Sequence, residues 1–200
     1  MKKIFTIILL ILCITNVKAY ENDLFKIDIP DNYKAEISDK IYKWSNDNKY
    51  IAVTISDNTN HYKFNRFSDE DLARQKEHII ETYKVQLEDY DCTVDVSDIK
   101  KDKINDNYFI TYNLHWNSTK TIGYDMYQKI AVYSTENYIY TITNSSDEDF
   151  SYEDFKSLLN TFDHKDYSTH SRLLSFILVF GIISGIIGYF IKVKKNKKHK

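Results

Sequence analysis

The longest uncharged run of the chain, residues 173–191, is apolar on every side. As a helix that rises about 1.5 Å per residue, it measures roughly 28 Å, which matches the hydrocarbon core of a bilayer. A buried helix of a globular domain usually keeps a polar face, whereas only Ser175, Ser184 and Tyr189 bring polar groups into this run. The pattern predicts a transmembrane helix at 173–191.

The two ends of the chain predict export and an orientation. Lys2 and Lys3 precede a short apolar core, and the small residues Val17 and Ala19 suit cleavage after Ala19. The lysines of the C-terminal tail favour the cytoplasmic side of a membrane. We therefore expect a single-pass protein of the cell membrane. Its predicted parts are a signal peptide at 1–19, an exported domain at 20–165, a juxtamembrane linker at 166–172, a transmembrane helix at 173–191 and a basic cytoplasmic tail at 192–200.

Small residues recur at a spacing of four within the predicted span. Gly181 and Gly185 form one such pair, and Ser184 and Gly188 form a second. Small residues let two membrane helices approach closely, so these four residues are candidates for packing in a homodimer. Glycine is also common in membrane helices that stay alone, and the sequence leaves both interpretations open.

In the exported part, apolar and polar residues first alternate as in strands. Residues 24–29, LFKIDI, alternate and stop at Pro30, which predicts a first strand. Residues 34–37 and 41–45 predict a hairpin, and residues 49–56 predict a further strand that a polar turn ends.

The spacing of the apolar residues then changes to that of a helix. Residues 69–87 place apolar side chains on one side at helical spacing, and Ser68 precedes them as a good N-cap. We expect this helix to pack against the sheet.

A second group of strands follows, and a short helix closes the domain. The strand predictions are 93–99, 108–116, 121–133 and 138–143, a pattern typical of an antiparallel meander. Residues 151–162 predict the closing helix, with Ser151 and Asp154 as a variant of the capping box.

Two stretches resemble PsbP-like domains. The opening LFKIDIPDNY is similar to the start of those domains, and the ending FSYEDFKSLLNTF is similar to their terminal helix. The resemblance extends over residues 23–162. It implies an α+β fold in which helices flank an antiparallel sheet as an α/β/α sandwich. Members of that group resemble one another in fold more than in activity, and accessory or assembly roles are frequent among them.

The charge of the exported part limits its possible partners, and its cysteine content limits its possible disulfides. Between residues 20 and 171 there are 17 Lys and Arg and 29 Asp and Glu, so this part carries 17 − 29 = −12 charges. Such an acidic domain argues against binding to nucleic acid. Cys92 is the single cysteine of the exported part, which excludes a disulfide within it.

Candidate chemistry is sparse, and the aromatic residues are its main feature. The histidines show no metal-binding spacing, and no nucleophile or phosphate-binding motif is present, so we predict no catalytic residue, metal or cofactor. Tyrosines are dense on the later strands, where they either fill the core or form an open binding surface. The candidates for such a surface are Tyr124, Tyr127, Tyr133 and Tyr138.

The sequence therefore predicts a membrane-anchored, extracytoplasmic binding or accessory protein of unknown ligand in a bacterial envelope. Its expected partners are the lipid bilayer, another envelope protein and a second copy of the chain. Two alternatives stay open. One is an enzyme that processes envelope polymers and needs a polar cleft with convergent carboxylates or histidines. The other is a self-associating assembly or signalling subunit.

Overall fold

A computed structural model describes residues 17–87, 92–118 and 124–165. Most of the predicted signal peptide, the linker at 166–172, the span at 173–191 and the basic tail lie outside these ranges, as do Gly181, Ser184, Gly185 and Gly188. Within the described ranges, no helix combines the length and the apolar composition needed to cross a bilayer.

The described elements are ten strands, two α-helices and a single 3-10 turn at Phe64–Arg66. The strands are β1 Val17–Glu21, β2 Phe25–Pro30, β3 Lys34–Ser38, β4 Ile41–Asn46, β5 Lys49–Asp57, β6 Thr93–Ile104, β7 Asn107–Ser118, β8 Tyr124–Ser134, β9 Tyr138–Ser146 and β10 Asp163–His164. The helices are α1 Asp69–Leu87 and α2 Tyr152–Leu159.

Two sheets organise these strands. The larger has seven strands in the order β3-β4-β5-β9-β8-β7-β6, and the smaller has the order β1-β2-β10. Every strand pair is antiparallel. The fold is therefore α+β with antiparallel sheets, as the sequence predicts.

Each face of the large sheet has its own hydrophobic core. On one face, Leu72, Ile79 and Tyr83 of α1 pack with sheet residues such as Ile110 and Trp116. The core on the other face is formed by side chains of the sheet, of α2 and of β2. Its buried members include Phe25, Ile27, Phe109, Tyr133, Tyr140, Phe155 and Leu159. Because side chains alternate along a strand, neighbouring residues of β7 such as Phe109 and Ile110 enter different cores. The two helices therefore lie on opposite faces of the large sheet.

The bounds of α1 agree with the sequence prediction, and its N-terminal cap explains why. The Ser68 hydroxyl accepts from the Asp71 amide at 3.2 Å, and the Asp71 carboxylate accepts from the Ser68 amide at 2.9 Å. Together these two bonds form a capping box with Asp in place of Glu. Hydrogen bonds from the Ser68 amide and hydroxyl, followed by one from Arg74, lower the pKa of Asp71 to about 2.

Three predicted bounds are wrong. The strand predicted at 138–143 continues to Ser146, and the other two bounds differ for local reasons. The strand predicted at 93–99 continues to Ile104, because a bulge between Ser97 and Lys100 absorbs one extra residue, with Asp98 and Ile99 opposite Tyr112, and Lys100 then pairs with Thr111. The helix predicted at 151–162 ends at Leu159, after which the Thr161 amide bonds to the Leu158 carbonyl and the chain turns toward β10.

The sequence pattern predicts no strand for either partner of β2. Strand β10 has two residues, too few for an alternating pattern. Strand β1 begins at Val17 and pairs Val17, Lys18 and Ala19 with β2. Cleavage after Ala19 would leave Tyr20 and Glu21 of this strand in the mature protein.

Candidate ligand-binding site

The segment between β5 and α1, residues 58–67, crosses the end of the large sheet and is fixed by one buried side chain. The Asn58 side chain donates to the carbonyls of Tyr62 at 3.0 Å and Thr135 at 2.7 Å, and accepts from the Tyr62 amide at 2.8 Å. Its own amide donates to the Asn137 carbonyl at 2.7 Å. We call residues 58–67 the crossing loop. These bonds hold it against the turn between β8 and β9.

A lysine of β6 holds the other end of the crossing loop. The Lys101 ammonium group donates to the carbonyls of Phe67 at 2.9 Å and Asn65 at 3.3 Å. Between these two attachments, Phe64 is buried and Tyr62 is 45% exposed. These hydrogen bonds fix the crossing loop at both ends. The cavities on its two sides are therefore already formed in the ligand-free protein.

The first cavity, the inner chamber, has a volume of about 340 Å³ and lies between α1, the crossing loop and the sheet. Its polar lining comes from Gln75, His78 and Thr82 of α1 and from residues 56–60, which include the Asp57 carboxylate. Gln75 is half-buried and His78 is exposed, so these two side chains form the rim. Its apolar lining comes from six side chains, which are Phe64, Phe67, Ile79, Ile110, Val132 and Ile139. The inner chamber therefore suits an apolar group that enters past a polar rim.

The second cavity, the outer groove, has a volume of about 600 Å³ on the other side of the crossing loop. The loop, the turn between β6 and β7 and the turn between β8 and β9 line it. Lys63, Asp106 and Glu136 bring charges of both signs to this lining. The exposed rings of Tyr62 and of Tyr108, which is 38% exposed, also line the groove.

The two cavities meet at Tyr62 and Phe64, which line both. The two rings are stacked, with centroids 6.5 Å apart and planes at 18°. Phe64 also packs edge-on against Phe67 at 5.1 Å. The inner chamber and the outer groove therefore adjoin at this pair of aromatic rings.

The carboxylate of Asp106 is held in its charged form. Lys103 forms an ion pair with it at 2.8 Å, and the hydrogen bond and the charge of this lysine lower the pKa of Asp106. An acid with a lowered pKa is a poor proton donor near neutral pH. Asp106 therefore serves the groove as a hydrogen-bond acceptor and a negative charge.

Two tyrosine hydroxyls behind the inner chamber lack a hydrogen-bond partner. They belong to Tyr83 of α1 and Tyr112 of β7, and Tyr112 also lines the chamber. Burial raises the pKa of both phenols, so each stays protonated. A buried hydroxyl without a partner carries a desolvation penalty.

We predict that Tyr112→Phe stabilises the protein by about 0.5–1 kcal/mol, because the variant removes an unsatisfied buried hydroxyl. Tyr50→Phe is the matched control and should cost about 1 kcal/mol, since the Tyr50 hydroxyl accepts a hydrogen bond from Gln128. Denaturant unfolding measures both changes. A loss of stability in Tyr112→Phe would mean that this hydroxyl has a partner such as a bound water.

A solved structure with a similar arrangement of strands and helices identifies the fold. The solution structure of cyanobacterial PsbP from Synechocystis matches 76% of this chain and 94% of its own, with a TM-score of 0.53 and 12% identity. The chain has a PsbP-like fold. No family model and no curated protein sequence matches it. At this identity the likeness is one of fold and carries no activity with it.

Two further solved structures are more distant from this PsbP-like chain. A crystal structure from Bacteroides thetaiotaomicron is 10% identical, matches 71% of this chain and 45% of its own, and has a TM-score of 0.47. A protein of unknown function from Pseudomonas aeruginosa is 14% identical, matches 66% of this chain and 83% of its own, and has a TM-score of 0.34.

The PsbP-like fold separates the tyrosines of the predicted binding surface. Tyr133 is buried in the core beside α2, and Tyr138 is half-buried against the same core. Tyr127 lies six residues before Tyr133 on β8, roughly 20 Å away, and stacks on His115 with centroids 4.4 Å apart. The side chain of Tyr124 lies outside the part of the chain that the structure describes. Ligand binding by Tyr127 or Tyr138 stays a prediction.

A third cavity, of about 400 Å³, lies where α2 meets the bulge of β6. There the Asp102 carboxylate accepts from Tyr152 at 2.5 Å and from Thr111 at 2.6 Å, and Lys100 lies 4.0 Å from the Tyr152 ring. Partial burial acts to raise the pKa of Asp102, but these hydrogen bonds and the Lys100 charge lower it overall. The charged and polar groups of this cluster are paired with one another, so we assign the cluster the role of attaching α2 to the sheet.

The crossing loop is the part of the site that the sequence analysis missed. Its segment HYKFNRF holds three aromatic and three basic or imidazole side chains between two polar turns, which is unusual for a solvated connection. Among residues 17–87, 92–118 and 124–165, no group of three His, Cys, Asp or Glu side chains is placed to hold a metal.

Proposed function

We propose that the chain is a membrane-anchored, extracytoplasmic binding or accessory protein whose ligand occupies the inner chamber and the outer groove. The observation that supports this most is the pair of adjoining cavities on either side of the crossing loop, one with a mainly apolar lining and one whose lining also carries charges of both signs. The anchor rests on the uncharged run at 173–191 and on the lysines that follow it.

The dimensions and the rigidity of the site support binding of a small molecule. Ligand pockets of proteins usually measure about 300–1,000 Å³, and both cavities fall within this range. The bonds of Asn58 and Lys101 order the crossing loop in advance, which reduces the entropy lost when a ligand binds.

Sodium octanoate below its micellar concentration is a suitable first probe, because it joins a short apolar chain to a polar head. We expect it to slow backbone hydrogen exchange at 58–67 and 69–87 of the full chain in phosphatidylcholine nanodiscs. Gln75→Trp should remove this protection, since Gln75 lies on the chamber rim and a larger ring fills the opening.

Glu77→Trp is the matched control, because Glu77 is exposed and does not line the chamber. It should keep the protection that octanoate gives to the chamber. Protection that is spread evenly over the domain, or that survives Gln75→Trp unchanged, would contradict binding in the inner chamber. Release of the unaltered chain from membranes by alkaline carbonate would contradict the anchor separately.

A further inference from the structure

The described chain ends beside the outer groove. The last strand residue, His164, lies with its Nε2 3.4 Å from the Tyr133 hydroxyl and its ring 4.9 Å from the Tyr133 ring. Tyr133 in turn lines the groove. The amide of the next residue, Lys165, donates to the Leu24 carbonyl at 2.7 Å, which fixes this exit point against the domain.

The end of α2 lies at the same end of the large sheet. The Asn105 side chain, in the turn between β6 and β7, donates to the Asn160 carbonyl at 2.6 Å. The crossing loop, the two turns that line the groove and the exit of the chain therefore share one end of the domain. Asn48 marks the opposite end, beyond the nine residues of β5, which span roughly 30 Å.

The predicted linker keeps this end near the predicted membrane helix. Seven residues reach at most about 25 Å when fully extended. The polar headgroup layer of a bilayer adds about 5–7 Å beyond the hydrocarbon. The outer groove is thus closer to the lipid surface than the Asn48 end is.

Exposed aromatic residues favour the same orientation. Tyr62 and Tyr108 are the exposed aromatic residues among the side chains that the structure describes, which leave out Tyr124, and both line the outer groove. Tyrosine is enriched where membrane proteins meet the headgroup layer, because its ring is apolar and its hydroxyl is polar.

The chemistry of the two cavities matches one class of molecule in that layer. The inner chamber has room for about ten atoms of water size at roughly 30 Å³ each, enough for part of one acyl chain. In the outer groove, Lys63 is suited to a phosphate, while Glu136 and the tyrosine rings are suited to an ammonium group.

We propose that the site takes up a single-chain zwitterionic lipid from the adjacent membrane surface. The acyl chain occupies the inner chamber, and the phosphate and ammonium groups occupy the outer groove. This assignment rests on the proposed function, since it needs both the anchor and the ligand site. It specifies the class of the ligand, and it names the bilayer as the source of that ligand.

The test uses the full chain in phosphatidylcholine nanodiscs that contain lysophosphatidylcholine with a diazirine at the end of its acyl chain. After photolysis, mass spectrometry locates the crosslinked peptides. We expect crosslinks at 173–191 from the span and a second group within 58–87 from the inner chamber. Gln75→Trp should lose the second group and Glu77→Trp should retain it.

Crosslinks confined to 173–191 would overturn the uptake of lipid from the membrane. So would crosslinks within 58–87 that are equal in Gln75→Trp and in the unaltered chain, because they would report contact outside the inner chamber. If octanoate still protects 58–67 and 69–87 in that case, the ligand site stands and only its lipid source is lost. If octanoate protection fails as well, the proposed function fails with it.

Discussion

Gln128→Met is expected to reduce the free energy of unfolding by about 3–5 kcal/mol, although Met has nearly the same length and shape as Gln. Gln128 is 1% exposed in the core beneath α1. Its Oε1 accepts from the Trp116 indole at 3.0 Å, and its Nε2 donates to Ser145 Oγ at 3.0 Å and to the Tyr50 hydroxyl.

The size of the effect follows from the partners that lose their hydrogen bonds. Trp116, Ser145 and Tyr50 are all buried, so water cannot replace the lost amide without entering the core. Each buried group that loses its partner costs about 1–3 kcal/mol. Tyr50 keeps a weak bond to the Met126 sulfur at 3.7 Å, which keeps the expected total below the sum of the upper limits.

Gln75→Met provides the matched control for this change. Gln75 is half-buried on the rim of the inner chamber, so the same replacement should change stability by less than about 1 kcal/mol. Urea unfolding of the full chain measures both variants. Equal effects at the two positions would show that the buried amide network does not stabilise the core.

The helix α1 could be predicted from sequence because its signals are local. Ser68 and Asp71 lie three residues apart and form the cap by themselves, and Leu72, Ile79 and Tyr83 repeat on one side. Alternation also predicted most of the strands. It could not reveal Gln128, because a polar residue within an apolar row gives no sign of which distant groups will meet it.

The candidate site could not be predicted because its walls come from distant parts of the chain. The bond from Asn58 to Thr135 joins residues 77 positions apart, and the bond from Lys101 to Phe67 joins residues 34 apart. Neither pair has a sequence pattern of its own. The exit of the chain beside the groove depends on β10, a strand of two residues that only its pairing with β2 defines.

Asn58→Asp is expected to destabilise the protein by at least about 3 kcal/mol near neutral pH and to loosen the crossing loop. The replacement has the same shape, but it turns a group that donates to the Tyr62 and Thr135 carbonyls into a carboxylate that faces them. Asn58 is buried, so the new charge has little access to water. Denaturant unfolding measures the loss, and hydrogen exchange at 58–67 reports the loop.

The pH dependence separates this electrostatic cause from a simple loss of packing. Burial beside two carbonyl oxygens should raise the pKa of the introduced carboxyl in the folded state above about 3.9, its usual value. The folded state then binds more protons, so the deficit should grow as pH rises through the raised pKa and shrink below it. Asn60→Asp, on an exposed residue of the same loop, should show neither the deficit nor this pH dependence. A deficit that is the same at pH 4 and pH 7 would mean that the Asn58 amide does not hold the crossing loop by donating to those carbonyls.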